Sequence, residues 1–166
     1  MFRRTRITAA ALAAGAAVAA AAVIPSLGGA QAPAPTELTL KMKVRGAEQV
    51  RHNKKVRGDT LAPGDMVIIR LDAFGADGTK AGSAYTECTN VGKKASSGNA
   101  KLQCTQTYTL RDGQIVTAGV ISFSRLSDLR IPIVGGSGAY HGATGELRAG
   151  RPEKGFDSVD VLHLGA

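Results

Sequence analysis

The chain has 166 residues, of which 43% are hydrophobic and 4% aromatic, and its formal net charge at pH 7 is +8. This length suits a single folded domain with a core of its own. A modest positive charge with so few aromatic side chains argues against a surface that stacks nucleic-acid bases.

The first thirty residues have the layout of a secretory signal peptide. Arg3 and Arg4 stand before an uncharged, alanine-rich stretch from Ile7 to Ile24, and small residues follow it as far as Ala30. A membrane anchor is the alternative, since the apolar stretch is nearly long enough to span a bilayer. Alanine is only weakly apolar, which favours a cleaved signal. We expect a signal peptide at 1–30, a Pro/Ala linker at 31–36 and a secreted domain at 37–166 without a stable membrane anchor.

The first predicted strand is followed by a basic stretch. Leu38, Leu40, Met42 and Val44 alternate with polar residues, which is the period of a half-buried strand. The stretch from 45 to 57 is rich in Arg and Lys and either binds an anionic polymer or headgroup or forms a solvated loop. No aromatic residues are interleaved with the charges, so we expect a solvated loop and no specific nucleic-acid partner.

A two-residue turn at Asp77-Gly78 predicts the next hairpin. It joins apolar runs at 66–74 and 81–91, and the register sets Leu71 against Ala84 and Ile69 against Thr86. Alternation places these side chains on one face.

The two cysteines predict the hairpin that follows. Cys88 and Cys104 flank a polar turn segment at 92–100, and an even pair in an exported protein favours a disulfide over two free thiols. If they lie opposite each other, Thr86 faces Gln106.

A second Asp-Gly pair, Asp112-Gly113, predicts a third hairpin. Its register matches Leu110 with Ile115 and Tyr108 with Thr117. The three hairpins agree on one inner face, which contains Val67, Ile69, Leu71, Ala73, Ala84, Thr86, Cys88, Cys104, Gln106, Tyr108, Ile115, Thr117, Ile121 and Phe123.

The chain ends on a further strand-like run, Ser158 to Leu164. Asp157 and Asp160 are three residues apart and are expected on opposite faces, which argues against a shared acid pair. With this run, about eight short antiparallel strands are predicted, and they form either a closed β-barrel or a two-sheet sandwich.

A glycine-rich run follows the apolar residues 131–134. It resembles the signature of the allene oxide cyclase and dirigent barrel superfamily, as do Gly64-Asp65 and the segment from Asp77 to Gly82. The resemblance implies an all-β closed antiparallel barrel of about eight strands. The signature positions are Gly135, Gly136, Gly138, Tyr140, Gly142 and Gly145.

The resemblance also implies how such a barrel works. Members of the superfamily hold a reactive intermediate in the lumen and need neither a metal nor an organic cofactor, and they often assemble as oligomers. We therefore expect a small apolar or aromatic ligand and a dimer or trimer. The expected lumen contacts are Thr86, Gln106, Tyr108, Thr117 and Phe123.

Two functions remain open at this stage. The barrel either binds a small apolar molecule and steers a cofactor-free cyclisation or coupling, or it is a non-enzymatic envelope or interaction protein with a packed core. No nucleophile elbow, zinc-protease motif or P-loop is present in the sequence, which argues against conventional hydrolase chemistry. His141 is either a contact at the barrel mouth or an exposed loop residue, and we expect the latter.

Overall fold

The computed structural model describes residues 36–52, 58–122, 124–125 and 129–165. The segment predicted to be a signal peptide lies outside these ranges, as does Phe123, so cleavage and the domain bounds stay predictions. Among the described residues, no helix is long and apolar enough to cross a membrane.

Eight antiparallel strands close into a barrel, as predicted, and the sandwich alternative is wrong. The order around the barrel is β1-β10-β9-β8-β7-β6-β4-β3, with β3 pairing back onto β1. The short strands β2 and β5 pair with each other outside it. The strands are β1 (Glu37–Val50), β2 (Thr60–Leu61), β3 (Met66–Phe74), β4 (Lys80–Asn90), β5 (Ala95–Ser96), β6 (Leu102–Leu110), β7 (Gly113–Ile121), β8 (Arg130–Gly138), β9 (Thr144–Ala149) and β10 (Ser158–Gly165).

The registers on either side of β4 are those that the Asp77-Gly78 turn and the two cysteines predicted. Leu71 lies opposite Ala84, and Thr86 lies opposite Gln106. Cys88 and Cys104 are directly opposite each other, with their Cα atoms 4.0 Å apart, and form the predicted disulfide. The disulfide therefore joins two neighbouring strands on the inner face.

The predicted register between β6 and β7 is wrong by two residues. Leu110 lies opposite Gly113 and Tyr108 opposite Ile115, so Arg111 and Asp112 form the turn. Gly113 is needed in the strand instead, because a Cβ atom on it would lie 2.0 Å from the carbonyl oxygen of Ser137 in β8. A shift of two residues leaves the inner face unchanged, because side chains alternate with a period of two.

The signature glycines belong mostly to strands, and only the part between Gly138 and Thr144 forms a turn. Strand β8 runs on to Gly138, and Gly145 lies in β9. The intervening turn folds back onto β8, where a Cβ atom on Gly136 would lie 2.3 Å from the Tyr140 carbonyl oxygen. The Tyr140 side chain is buried by this turn, whereas His141 is exposed, as expected.

The two ends of the barrel differ in packing. At the lower end, where β6 finishes and β7 begins, the lumen is filled around Tyr108, which is fully buried. Ala84 lies opposite Tyr108, and this small residue leaves room for the ring. The surrounding residues Leu40, Ala73, Ala84, Ile115 and Leu162 are all at most 5% exposed.

Charged residues of β3 point away from the lumen. Arg70 pairs with Glu48 at 3.3 Å, and Asp72 pairs with Arg45 at 2.8 Å. Hydrogen bonds from Arg45 and Lys80 lower the pKa of Asp72 below its ordinary value. Because these carboxylates are paired on the outer surface, neither contributes to a lumen site.

Candidate functional site

A cavity of about 300 Å³ occupies the upper half of the barrel, where β7 and β9 finish and β8 and β10 begin. Small-molecule sites usually enclose roughly 300 to 1,000 Å³, so this cavity suits a small ligand. Most of its wall is aliphatic and comes from Val44, Ile69, Leu71, Ile121, Leu129, Ile131, Leu147, Ala149 and Pro152.

Three of the five predicted lumen residues line this cavity, namely Thr86, Gln106 and Thr117. Tyr108 also points into the barrel, but it is buried in the packed lower half and does not line the cavity wall. Phe123 lies outside the described residues. That any of the five contacts a ligand stays a prediction.

Asp160 is the polar residue of the site that sequence reasoning missed. It is 4% exposed, and its carboxylate faces the same cavity. Its Oδ2 atom accepts hydrogen bonds from the Tyr108 hydroxyl at 2.7 Å and the Gln106 Nε2 at 3.3 Å. Its Oδ1 atom accepts one from the Ser158 hydroxyl at 3.2 Å. Thr86 completes this lumen polar cluster by donating to Gln106 Oε1 at 3.0 Å.

Burial controls the acid–base behaviour of this cluster. It raises the pKa of Asp160 above the ordinary value, and the hydrogen bonds from Tyr108, Ser158 and Gln106 oppose that shift. Burial, followed by the nearby charge of Asp160, raises the pKa of Tyr108 well above its ordinary value. Tyr108 is therefore a fixed hydroxyl donor at neutral pH, and Asp160 is the group that can change its charge.

The two aspartates near the start of β10 line the same cavity, which corrects the expectation of opposite faces. Asp157 precedes the first residue of the strand, so strand alternation does not apply to it. Its carboxylate accepts a hydrogen bond from the Val44 backbone N–H at 2.7 Å, at the bulge of β1. Asp157 thus fixes the rim of the cavity, whereas Asp160 lies inside.

The signature turn between β8 and β9 lies at the lower end, away from the cavity. Its glycines and Tyr140 therefore shape the barrel, and they are not placed to touch a molecule in the cavity. Within the described ranges, no group of three or more His, Cys, Asp or Glu side chains could hold a metal ion. The chemistry that the site itself offers is hydrogen bonding, charge and proton exchange at one buried carboxyl group.

Residues 47–161 match the sequence profile of the allene oxide cyclase barrel like domain. This match covers more than half of the chain, and the protein belongs to that family. No curated protein matches the sequence.

Several solved structures share the fold. One described as a pyocyanin demethylase is 24% identical, with a TM-score of 0.63, and the match covers 78% of this chain and 99% of that one. An exo-specific intermolecular Diels–Alderase is 16% identical, with a TM-score of 0.56 and coverage of 78% and 98%. A pterocarpan synthase dirigent protein is 18% identical, with a TM-score of 0.57 and coverage of 78% and 90%. At these identities the likeness concerns the fold.

Proposed function

We propose that the barrel binds a small, largely apolar ring compound in its upper cavity and steers a cofactor-free cyclisation or coupling of it. The observation that carries the proposal is a largely aliphatic cavity of about 300 Å³ whose wall also contains a small, hydrogen-bonded set of polar side chains. Such a wall limits the places where a ligand can satisfy its polar atoms and so favours particular orientations. The shared fold with a Diels–Alderase and a dirigent protein agrees with this use of a barrel.

The alternative of a non-enzymatic protein with a packed barrel fits only the lower half. Tyr108 and its neighbours fill that half, and a cavity of about 300 Å³ lies above them. We also propose that the protein acts outside the cytoplasm, on the strength of the arginine-headed, alanine-rich first thirty residues. Assembly as a dimer or trimer stays a prediction.

Blocking the cavity tests the binding proposal. Ala149 lines the cavity on β9 and is the register partner of Asp160 on the neighbouring strand β10. Its neighbour Arg148 is exposed on the outer side of β9. We expect Ala149→Phe to weaken the binding of the uncharged fluorescent probe N-phenyl-1-naphthylamine by at least about tenfold, or about 1.4 kcal/mol. The control Arg148→Phe adds the same ring outside and should leave binding unchanged.

A panel of uncharged ring compounds, including naphthalene, indole and biphenyl, completes this test. Binding of at least one compound with loss in Ala149→Phe supports the proposal. No binding by any compound, or equal binding by both variants, overturns it in favour of the interaction-protein alternative.

A further inference from the structure

Asp160 is a buried acid whose described partners are all neutral. Tyr108, Gln106 and Ser158 donate to it, and no Lys or Arg of the described chain forms an ion pair with it. Removing a carboxylate from water costs several kcal/mol, and neutral donors recover only part of that cost. A barrel that only had to be stable would be served as well by a neutral side chain at this position.

The Asp160 carboxylate lines the cavity and retains acceptor capacity. A carboxylate has about four acceptor positions on its two oxygens. Among the described residues, Oδ2 is engaged by two donors, but Oδ1 accepts only the 3.2 Å bond from Ser158. Oδ1 therefore has capacity for one further donor or a positive charge.

Charge is distributed unevenly between the rim and the interior of the cavity. Arg151 and Asp157 line it near the rim with opposite charges, and the Asp157 carboxylate also accepts a bond from the Val44 N–H. Of the ionisable residues in the lining, Asp160 is the one that lies inside the cavity. A positively charged ligand atom is therefore favoured at the inner end, next to Asp160.

We propose that the cavity selects a ring compound that carries a cationic nitrogen, and that Asp160 is the residue that determines this specificity. The inference rests on the proposed function, since it concerns a ligand of the same cavity. In the complex the cation replaces the missing charged partner of Asp160, and the aliphatic wall contacts the rest of the ring. The cationic end of the ligand lies inward, against the Tyr108–Asp160 contact.

A pair of compounds with nearly the same shape tests the charge alone. N-methylquinolinium is permanently cationic and has no acidic N–H, and 1-methylnaphthalene is its neutral counterpart. The measured quantity is the ratio of the affinity for the cation to the affinity for the neutral compound, determined at pH 8 by calorimetry or fluorescence. We expect this ratio to be at least about tenfold larger in the wild-type protein than in Asp160→Asn. Glu87→Gln, an exposed acid on the outer side of β4, is the matched control and should behave as wild type.

Each outcome of this experiment decides a different question. An unchanged preference in Asp160→Asn, with both variants folded by circular dichroism, overturns the inference and makes Asp160 a structural residue. Binding of only the neutral compound overturns the inference but leaves the proposed function intact. If neither compound binds, and the uncharged panel also fails, the proposed function falls with it.

Discussion

The Tyr108 hydroxyl donates a 2.7 Å hydrogen bond to Asp160 across the barrel, from β6 to β10. These strands are four positions apart in either direction around the eight-stranded barrel, so the contact spans its full width. Residues below it are packed, and the cavity lies above it. The bond therefore forms the floor of the candidate site.

Tyr108→Phe removes one of three donors to a buried carboxyl group. We expect the free energy of unfolding to fall by about 1 to 3 kcal/mol, because the acid is left less well satisfied. Tyr85→Phe, on a tyrosine that is 41% exposed, is the control and should change stability by less than about 0.5 kcal/mol. Urea denaturation compares the two, and equal effects would contradict a bond of this importance.

Asp160→Asn should reveal the pKa shift of this acid through the pH dependence of stability. The folded-state pKa is raised by burial, so the acid's contribution is full below the ordinary aspartate pKa and is lost as pH rises through the folded value. Asparagine does not titrate. The stability of Asp160→Asn relative to wild type should therefore increase with pH above about 4 and then level off. A flat difference between Asp160→Asn and wild type over this pH range would contradict the shift.

Two signature glycines should differ sharply in their tolerance of alanine. A Cβ atom on Gly145 would lie 2.0 Å from the His163 carbonyl oxygen, whereas one on Gly142 meets nothing within 4 Å. Both have positive φ, so Gly142→Ala should cost only about 1 to 2 kcal/mol for the left-handed conformation. Gly145→Ala should cost clearly more, because β9 and β10 must separate. Thermal unfolding distinguishes them, and similar losses would contradict the close approach.

The disulfide should protect the folded state by restricting the unfolded chain. The bonded cysteines are 16 residues apart, for which the loop-entropy relation gives about 3 kcal/mol. The double variant Cys88→Ala/Cys104→Ala should lose roughly that much, as should wild type under reducing conditions. A thiol reagent should label nothing in denatured, unreduced protein, and labelling of two thiols would refute the bond.

If the first thirty residues are a signal peptide, the protein found outside the cytoplasm should lack them. The alanine-rich segment is followed by small residues, so the mature protein should begin near Gln31 or Pro33. Intact mass spectrometry of the protein recovered outside the cytoplasm measures this. A full-length species retained in the membrane would favour an anchor instead.

Local signals account for what could be predicted of the barrel. The β3–β4 register follows from a turn and an alternation that lie within a few residues of each other, and the cysteines fixed the next strand pair. The β6–β7 register failed because Gly113 is required by a contact with β8 and not by the turn.

The site depends on contacts that no local pattern contains. Tyr108 and Asp160 are 52 residues apart in the chain. The alternation of Asp160 with Leu162 and Leu164 does place the acid on the inner face, and it was the available signal. What alternation does not supply is the partner across the lumen or the empty volume above it, because both depend on how eight strands close.

The filled lower half also has a consequence for the evolvability of this barrel. Side chains below the floor contact one another, whereas several above it border the cavity. Ile69 and Leu71 line the cavity and are only half-buried, so substitutions at these positions should disturb packing less than substitutions at the fully buried Leu40 or Ile115. Specificity in such a scaffold can therefore diverge at half-buried cavity positions with a small effect on foldability.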